Sequence, residues 1–528
     1  MKSLLNYSFL SSKRARLYLA LLITALFIFP FAAISQQNYF EKRYDFNNNY
    51  DRAQNILTVD SGYVIAGITQ DTLYYNNIHL SITKISLTGE IIFHKEYGYD
   101  SINILIGNPG ALISNNNNYY TSSTYWIYID DWVHESGLLS CYNSMFDTIW
   151  TKKYGETSYP YDTSFILAQM KIADESNFIL TGSRMPNGIP SRIWLLKTDS
   201  LGNKLWERFY GEGNEYFQGH SVVQTADGGY VIGAAKFEIH ATGGYLDPLI
   251  IKTDSLGNEE WRKNPGNPDV DDNKVMVALA ADGNIIAGTN YGTKQAGDNR
   301  FAKVKIMKIT PDGTVLWDYN YLDPGYDNIL LNTTILNIGN IITSGVVSTS
   351  YISGKPWEIS WILCVDSLGN QLWYKEYAML TGEDSFNDLY DVIQTTDNGL
   401  IGCGMVIPVV PDTGTNDIWV MKMDSMGCLE PGCDTTVDVV ETSDIGDKFT
   451  LYPNPVTGTF TVKIDDETTR IQIFTVFNMY GTKVKKVVIP KGSQSLRLQT
   501  TGWPEGVYFG VLSSEGSTAA TCKFVVRK

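Results

Sequence analysis

Lys197-Thr198-Asp199-Ser200-Leu201-Gly202-Asn203-Lys204-Leu205-Trp206 returns almost unchanged as Lys252 to Trp261, and again, from Val365, ending at Trp373. Weaker copies run from Lys308 to Trp317, Lys84 to Phe93 and Cys141 to Trp150. The aromatic ends fall at positions 93, 150, 206, 261, 317 and 373, so the register repeats every 55 to 57 residues. Each copy reads as a hairpin. An apolar strand such as Ile193–Lys197 enters a turn in which Asp and Ser bond backbone N–H groups and Gly supplies positive φ. Four residues after the Gly, the returning strand presents its Trp.

A second element recurs between the hairpins: Asp60 to Gly67, Ser176 to Gly182, Asp227 to Gly233, Asp282 to Gly288, Gly339 to Gly345 and Asp397 to Gly402. It reads as a turn and then a buried strand. A further strand precedes it, as in His220–Thr225 and Asp391–Thr395. One period therefore holds about four strands, and four-stranded units repeated radially are propeller blades. A last hairpin begins at Met421 and reaches Gly427, but Pro431 stands where its Trp belongs. Tyr39-Phe40-Glu41-Lys42-Arg43-Tyr44 matches the outer strand Leu205–Tyr210 and lies one period before Phe93. This predicts that residues 39–44 pair beside Ile418–Met423, because an open blade leaves edge N–H and C=O groups unpaired. The expected body, residues 36–433, is an all-β, seven-bladed β-propeller closed by its own N-terminal strand. An open array or another blade number is the alternative.

The repeat resembles a family of secreted bacterial and archaeal propellers built on tryptophan-lysine-tyrosine-glycine and aspartate-glycine-glycine-tyrosine strands, and distantly the delta-60 propeller repeat. The resemblance spans residues 39–427 and implies a fold without implying an activity.

The chain has 528 residues and a net charge of −16. That charge is uneven: residues 449–528 carry +5, the first 35 residues +4, and the stretch between them −25. An acidic body without a basic footprint argues against nucleic-acid binding. Lys2, Lys13, Arg14 and Arg16 precede an apolar run from Leu17 to Ala33, followed by small residues. This reads as a secretory signal cleaved between Ser35 and Gln36, with an uncleaved anchor as the alternative. Residues 434–448 are acidic, lack aromatics and read as a linker.

In the tail, strand-like runs at Thr459–Ile464, Arg470–Phe477, Thr482–Ile489, Ser495–Leu498, Val507–Ser513 and Thr521–Val526 alternate with turns, which predicts a small Ig-like β-sandwich. Leu451-Tyr452-Pro453-Asn454-Pro455, Asn478 to Gly481, Trp503 to Phe509 with Gly506 and Tyr508, and the terminal Lys523–Lys528 resemble the type A C-terminal sorting domain of Bacteroidetes type IX secretion cargo. That resemblance implies export to the cell surface or medium and recognition of the tail by an outer-membrane translocon.

Chemistry is sparse. The five His show no metal-ligand spacing, and there is no Gly-x-Ser-x-Gly elbow. Acids recur after the Trp strand at Asp100, Glu156, Glu212, Glu215, Asp269, Asp271, Asp323, Asp327, Glu383 and Asp384. Asp269 and Asp271 are the best calcium candidates among them, although turn capping and surface solvation explain such residues without a metal. No other cofactor is expected. Trp194, Trp361 and Trp419 recur in register and read as inter-blade core. The Asn/Tyr-rich stretch Asn115–Trp132 departs from the repeat. Its Tyr125, Trp126, Tyr128 and Trp132 are the first candidates for a ligand surface. Cys428 and Cys433 are close enough in sequence to form a disulfide, and the other four Cys read as buried thiols. Asp-Ser-Leu and Asp-Thr-Leu tripeptides resemble Bacteroidetes O-glycosylation sites, but turn formation accounts for them. The function expected is a non-enzymatic surface module binding glycan or protein. The rival is a hydrolase with its site in the propeller channel, and a spacer without a ligand is a third reading.

Overall fold

The computed structural model describes residues 39–433 and 449–527, apart from short segments at 72–76, 99–101, 130–131, 156–162, 187–188, 241–242, 268–271, 296–297, 323–326, 350–355, 384, 409–414, 431–432, 465–471, 479–482 and 515–516. The proposed signal, its cleavage site Ser35/Gln36 and the linker lie outside the described residues. The chain divides into two compact units, residues 1–433 and 434–528. Strands dominate both, and no described helix is long and apolar enough to cross a membrane.

The body is a succession of antiparallel groups of four strands, except the second, where Ile102–Ile106 and Leu112–Asn115 both pair with Asn118–Ile129. In one group the strands are Thr163–Ile172, Phe178–Pro186, Arg192–Thr198 and Lys204–Tyr210, hydrogen-bonded in sequence order. The turn after the third strand is the recurring hairpin. Asp199 Oδ1 accepts the N–H groups of Leu201 (2.9 Å) and Asn203 (2.8 Å), and Gly202 takes φ +76°. Asp254, Asp366 and Asp424 do the same in their own groups. One sheet has eight strands. It consists of two four-strand groups, Met276–Tyr321 and Asp327–Tyr377, bridged at a single parallel pairing of Ala302 with Asp327.

The last group, Phe386–Gln394, Leu400–Ile407 and Asp417–Met423, takes its outer strand from the N-terminus. Phe40–Tyr44 pairs antiparallel with Asp417–Met423, Phe40 opposite Lys422 and Tyr44 opposite Ile418. Chemistry repeats with the register. Trp419 Nε1 donates to Glu41 (3.0 Å), as Trp194 Nε1 donates to Glu207 (3.1 Å).

Hydrophobic clusters lie between consecutive groups. One of them joins the last group to the first: Ile401, Cys403, Ile418 and Val420 pack with Ala53, Ile56, Tyr63 and Ile65. Trp194, Trp361 and Trp419 are fully buried in such clusters. The repeated residues meet across these boundaries. A Cβ on Gly257 would stand 3.0 Å from the Trp206 ring of the preceding group. The Tyr210 hydroxyl donates to the Gly257 carbonyl (2.7 Å), and the same latch joins Tyr154 to Gly202 (2.6 Å), Tyr321 to Gly369 (2.6 Å) and Tyr377 to Gly427 (2.8 Å). Tyr44 of the N-terminal strand latches Gly89 in the same way (2.7 Å).

The two recurring motifs also meet within a group. Lys252 is fully buried, and its ammonium lies 2.9 Å from Asp227 and 2.8 Å from Glu260. Lys197–Asp174, Lys308–Asp282 and Lys422–Asp397 are the equivalent pairs, at 3.0, 2.7 and 3.0 Å. Where the Lys is replaced by Cys141 or Cys364, the Asp is replaced too, by Asn116 or Ile338. Removing both partners avoids leaving one charge unpaired.

The stretch Asn115–Trp132 corrects the sequence reading. It is no insertion: Asn118–Ile129 is the second strand of its group and pairs with Trp132–Tyr142. Asn116 and Asn117 adopt φ +49° and +64° at the turn where other groups use Gly, since Asn tolerates the left-handed region.

The tail is a sandwich of a three-stranded and a four-stranded sheet around Phe460, Phe474, Leu512 and Phe524. Its first strand, Phe449–Tyr452, was not among the sequence-predicted runs.

Candidate functional site

The first strands of five groups each carry a polar side chain at a recurring point. Register shifts precede Asn55, Gln169, Ser221, Asn332 and Asp391 at equivalent points. A bulge of this kind re-aims the residue that follows it, and each of these side chains reaches a neighbouring group. Asn55 accepts from Ala111 N–H (2.8 Å) and donates to the Gly107 carbonyl (3.1 Å). Gln169 accepts from Val222 N–H (2.9 Å) and donates to the Pro109 carbonyl (2.5 Å). Ser221 donates to Val275 and accepts from Val277. Asn332 donates to Asp391 Oδ1 (2.8 Å), and Asp391 Oδ2 accepts from Ile56 N–H (3.0 Å), which ties the last group to the first.

This collar borders a cavity of about 380 Å³ lined by Ile56, Leu112, Lys171, Val223, Val277, Thr334, Asp391 and Ile393, among others. Burial pushes Asp391 up to about 6, and burial lowers the Lys171 ammonium against the pull of Asp391. Both Asp391 oxygens are already engaged by the collar, so its carboxylate is committed to holding groups together.

Residues before the bulges form a second cluster. Tyr390 donates to Asp388 Oδ2 (3.1 Å), and the Arg52 guanidinium sits 5.8 Å from the Tyr390 ring centre. Burial raises the Asp388 carboxyl. Burial first, and then the Asp388 carboxyl, push Glu358 up to about 8. His220 is held neutral, pushed down to about 3 by burial and then by Lys274.

A third concavity, about 430 Å³, lies between the first two groups and is lined by Glu96, Tyr97, Ile104, Tyr125, Ser140, Thr148, Thr151 and Lys153. The Lys153 ammonium sits 3.3 Å from the Tyr125 ring centre. Of the sequence-nominated aromatics, only Tyr125 lines it. Trp126 is half-buried, and the side chains of Tyr128 and Trp132 lie outside the described set. Beside the groove, Glu96 bridges His79 and His94, at 3.3 Å each, and is held below the usual carboxylate range mainly by the His94 bond. Sequence spacing did not reveal this pair, because adjacent strands bring them together.

The other nominated residues scatter. Asp269 and Asp271 lie outside the described residues, as do Asp100, Glu156, Asp323 and Asp384. Glu212 and Glu215 pair with Arg262 (3.6 Å) and Lys236 (3.0 Å). Cys428 and Cys433 are disulfide-bonded, with Lys375 against both sulfurs, and Cys141, Cys364, Cys403 and Cys522 are free.

In the tail the motif residues divide by exposure. Tyr508 is buried, donates to the Pro504 carbonyl (2.8 Å) and stacks on Phe524. Asn454 pins the final strand, accepting from Val525 N–H (2.9 Å) and donating to the Lys523 carbonyl (3.3 Å). Gly506 sits at φ +154°, and Gly481 lies outside the described residues. Tyr452 to Pro455 are exposed. Residues 450–527 match the family model described as the secretion system C-terminal sorting domain. The chain is type IX secretion cargo. It is exported to the cell surface or the extracellular space, and the tail is what the secretion machinery recognises.

No curated protein sequence is significantly similar to the chain. Solved structures similar to it include a Penicillium chrysogenum α-L-arabinanase complexed with arabinobiose (13% identity, TM-score 0.39, 60% of this chain and 92% of that one). A GH93 α-L-arabinofuranosidase of Fusarium graminearum gives 12%, 0.39, 62% and 94%. The polysaccharide lyase Uly1 gives 10%, 0.44, 70% and 90%. At these values none bears on what this cargo binds or does.

Proposed function

We propose that the exported body is a seven-bladed, non-enzymatic binding module. Its ligand surface would be the groove between the first two groups, where Tyr125 lies. The observation that carries this reading is the use already made of the ionisable groups on the inner strands. Asn332 and the Ile56 N–H occupy both oxygens of Asp391, and the Tyr390 hydroxyl is bonded to Asp388 Oδ2. The groove offers instead an aromatic surface beside Glu96, Lys153 and the hydroxyls of Thr148 and Thr151, which suits the apolar faces and hydroxyls of a glycan. A glycan and protein array probed with the exported chain tests it. Binding should fall at least tenfold in Tyr125→Ala and in Glu96→Gln, with melting unchanged. Retained binding in both variants would move the ligand elsewhere.

The second reading is a hydrolase, and one observation favours it: Glu358 is raised to about 8 by burial and by Asp388, whose Oδ2 Tyr390 also bonds. Turnover of a polysaccharide that is lost in Glu358→Gln would establish that reading in place of the first.

A further inference from the structure

We infer that Asp45, Asp51 and Asp417 hold a calcium ion across the seam where the chain's two ends meet. One carboxylate oxygen from each of the three lies within 4.8 Å of the others. They come from three separate places. Asp45 directly follows the closing strand Phe40–Tyr44, Asp51 stands in the first group's inner strand, and Asp417 begins the last group's third strand. No sequence motif joins them, because 366 positions separate Asp51 from Asp417.

One observation beyond the count of acids points to a cation. Asp417 is 1% exposed, and its Oδ1 has no hydrogen-bond partner. A buried carboxylate oxygen without a donor is costly unless something positive reaches it. The other oxygen, Oδ2, is paired with Arg43. Asp51 is fully buried, its Oδ2 accepting from the Phe46 N–H (2.7 Å) and its Oδ1 from the Thr69 hydroxyl (2.7 Å), so it is oriented before any ion arrives and each oxygen keeps a second lone pair for it.

The donor set selects the ion. All three donors are hard oxygens without His or Cys, which disfavours zinc. Calcium takes six to eight oxygens in flexible geometry, whereas magnesium demands a near-octahedral cage. The bound ion would tie the N-terminal strand to both neighbouring groups, stiffening the one junction of the body that has no covalent continuity. This inference is independent of the proposed ligand groove.

The test uses the whole exported chain. Its melting temperature is measured in EDTA, magnesium chloride and calcium chloride, and trypsin cleavage after Arg43 is followed in each. Calcium at a hundredfold above its dissociation constant should raise melting by about 5 °C over EDTA. It should also suppress cleavage after Arg43, with magnesium much weaker in both. Asp417→Asn and Asp45→Asn should each abolish both effects, and Glu212→Gln should keep them. Asp45 is exposed, so its variant remains informative if Asp417→Asn fails to fold. Identical melting in EDTA and calcium, or a calcium effect that survives both seam variants, would overturn the proposal.

Discussion

The body and the tail both carry conspicuous motifs, but they use them differently. In the body, nearly every recurring residue is consumed by the fold. The hairpin Gly meets the Trp of the preceding group, the Tyr latches the Gly carbonyl, and the Lys of one motif pairs with the Asp of the other. In the tail, only part of the motif is used this way. Tyr508 and Asn454 hold the sandwich together, while Tyr452 stands 51% exposed with Pro453 beside it. Repetition in the body therefore reports docking between groups. The exposed remainder of the tail motif is what an outside partner can read.

Removing the tail gives the largest effect. A chain lacking residues 449–528 should fold its body and accumulate in the periplasm, checked by fractionation and by the melting of the purified body. Surface delivery without the tail would erase the contrast. Next comes Tyr508→Ala, which opens a cavity against Phe524 and should cost the tail about 3–5 kcal/mol along with export. Tyr452→Ala should also lower export several-fold yet leave tail stability within about 0.5 kcal/mol. Equal destabilisation by the two variants would mean that the motif is structural throughout.

The body's order was readable because its period is long and its signals are local. The Asp-Ser-Leu-Gly turn, the Trp four residues later and the strand Phe40–Tyr44 each state their structure within a few residues. The pairing of Phe40–Tyr44 with Asp417–Met423 followed from matching that strand to Leu205–Tyr210. The Asn-rich turn at Asn116 hid the strand Asn118–Ile129 of its group, although the hairpin from Cys141 to Trp150 was legible. The collar, the Glu358–Asp388 pair and the His79–Glu96–His94 bridge were not legible, since each assembles from strands whose separation in sequence carries no signal. In the tail, Phe449–Tyr452 was missed because the run ends in prolines, which mask a short strand.

Within the body, Gly257→Ala should cost about 2 kcal/mol. It forces a side chain to φ +79° and sets a Cβ 3.0 Å from Trp206. Tyr210→Phe, which removes only the latch to the same carbonyl, should cost about 1 kcal/mol. Both are checked by denaturant melts, and a larger loss for Tyr210→Phe would reverse the assignment of close packing as the main contribution.

The smallest effect expected is a pH dependence that sets the body against an ordinary acidic surface. Asp272 is buried, accepts N–H groups from Asn267 (2.6 Å) and Gly292, and is pushed up to about 7, mainly by burial. Its folded value lies above its unfolded value of about 3.9, so the folded state binds more protons between those two values. Stability is therefore highest on the acid side of this window and falls as pH rises from about 4 towards 7. Asp272→Asn keeps the shape and cannot ionise. It should flatten the loss between pH 4 and 7 by roughly 3 °C in melting temperature. Exposed Glu212, replaced by Gln, should leave the profile unchanged. If both variants melt with the same pH profile as the parent chain, burial at Asp272 does not govern its proton, and the distinction between the body's consumed acids and its solvated ones fails at that position.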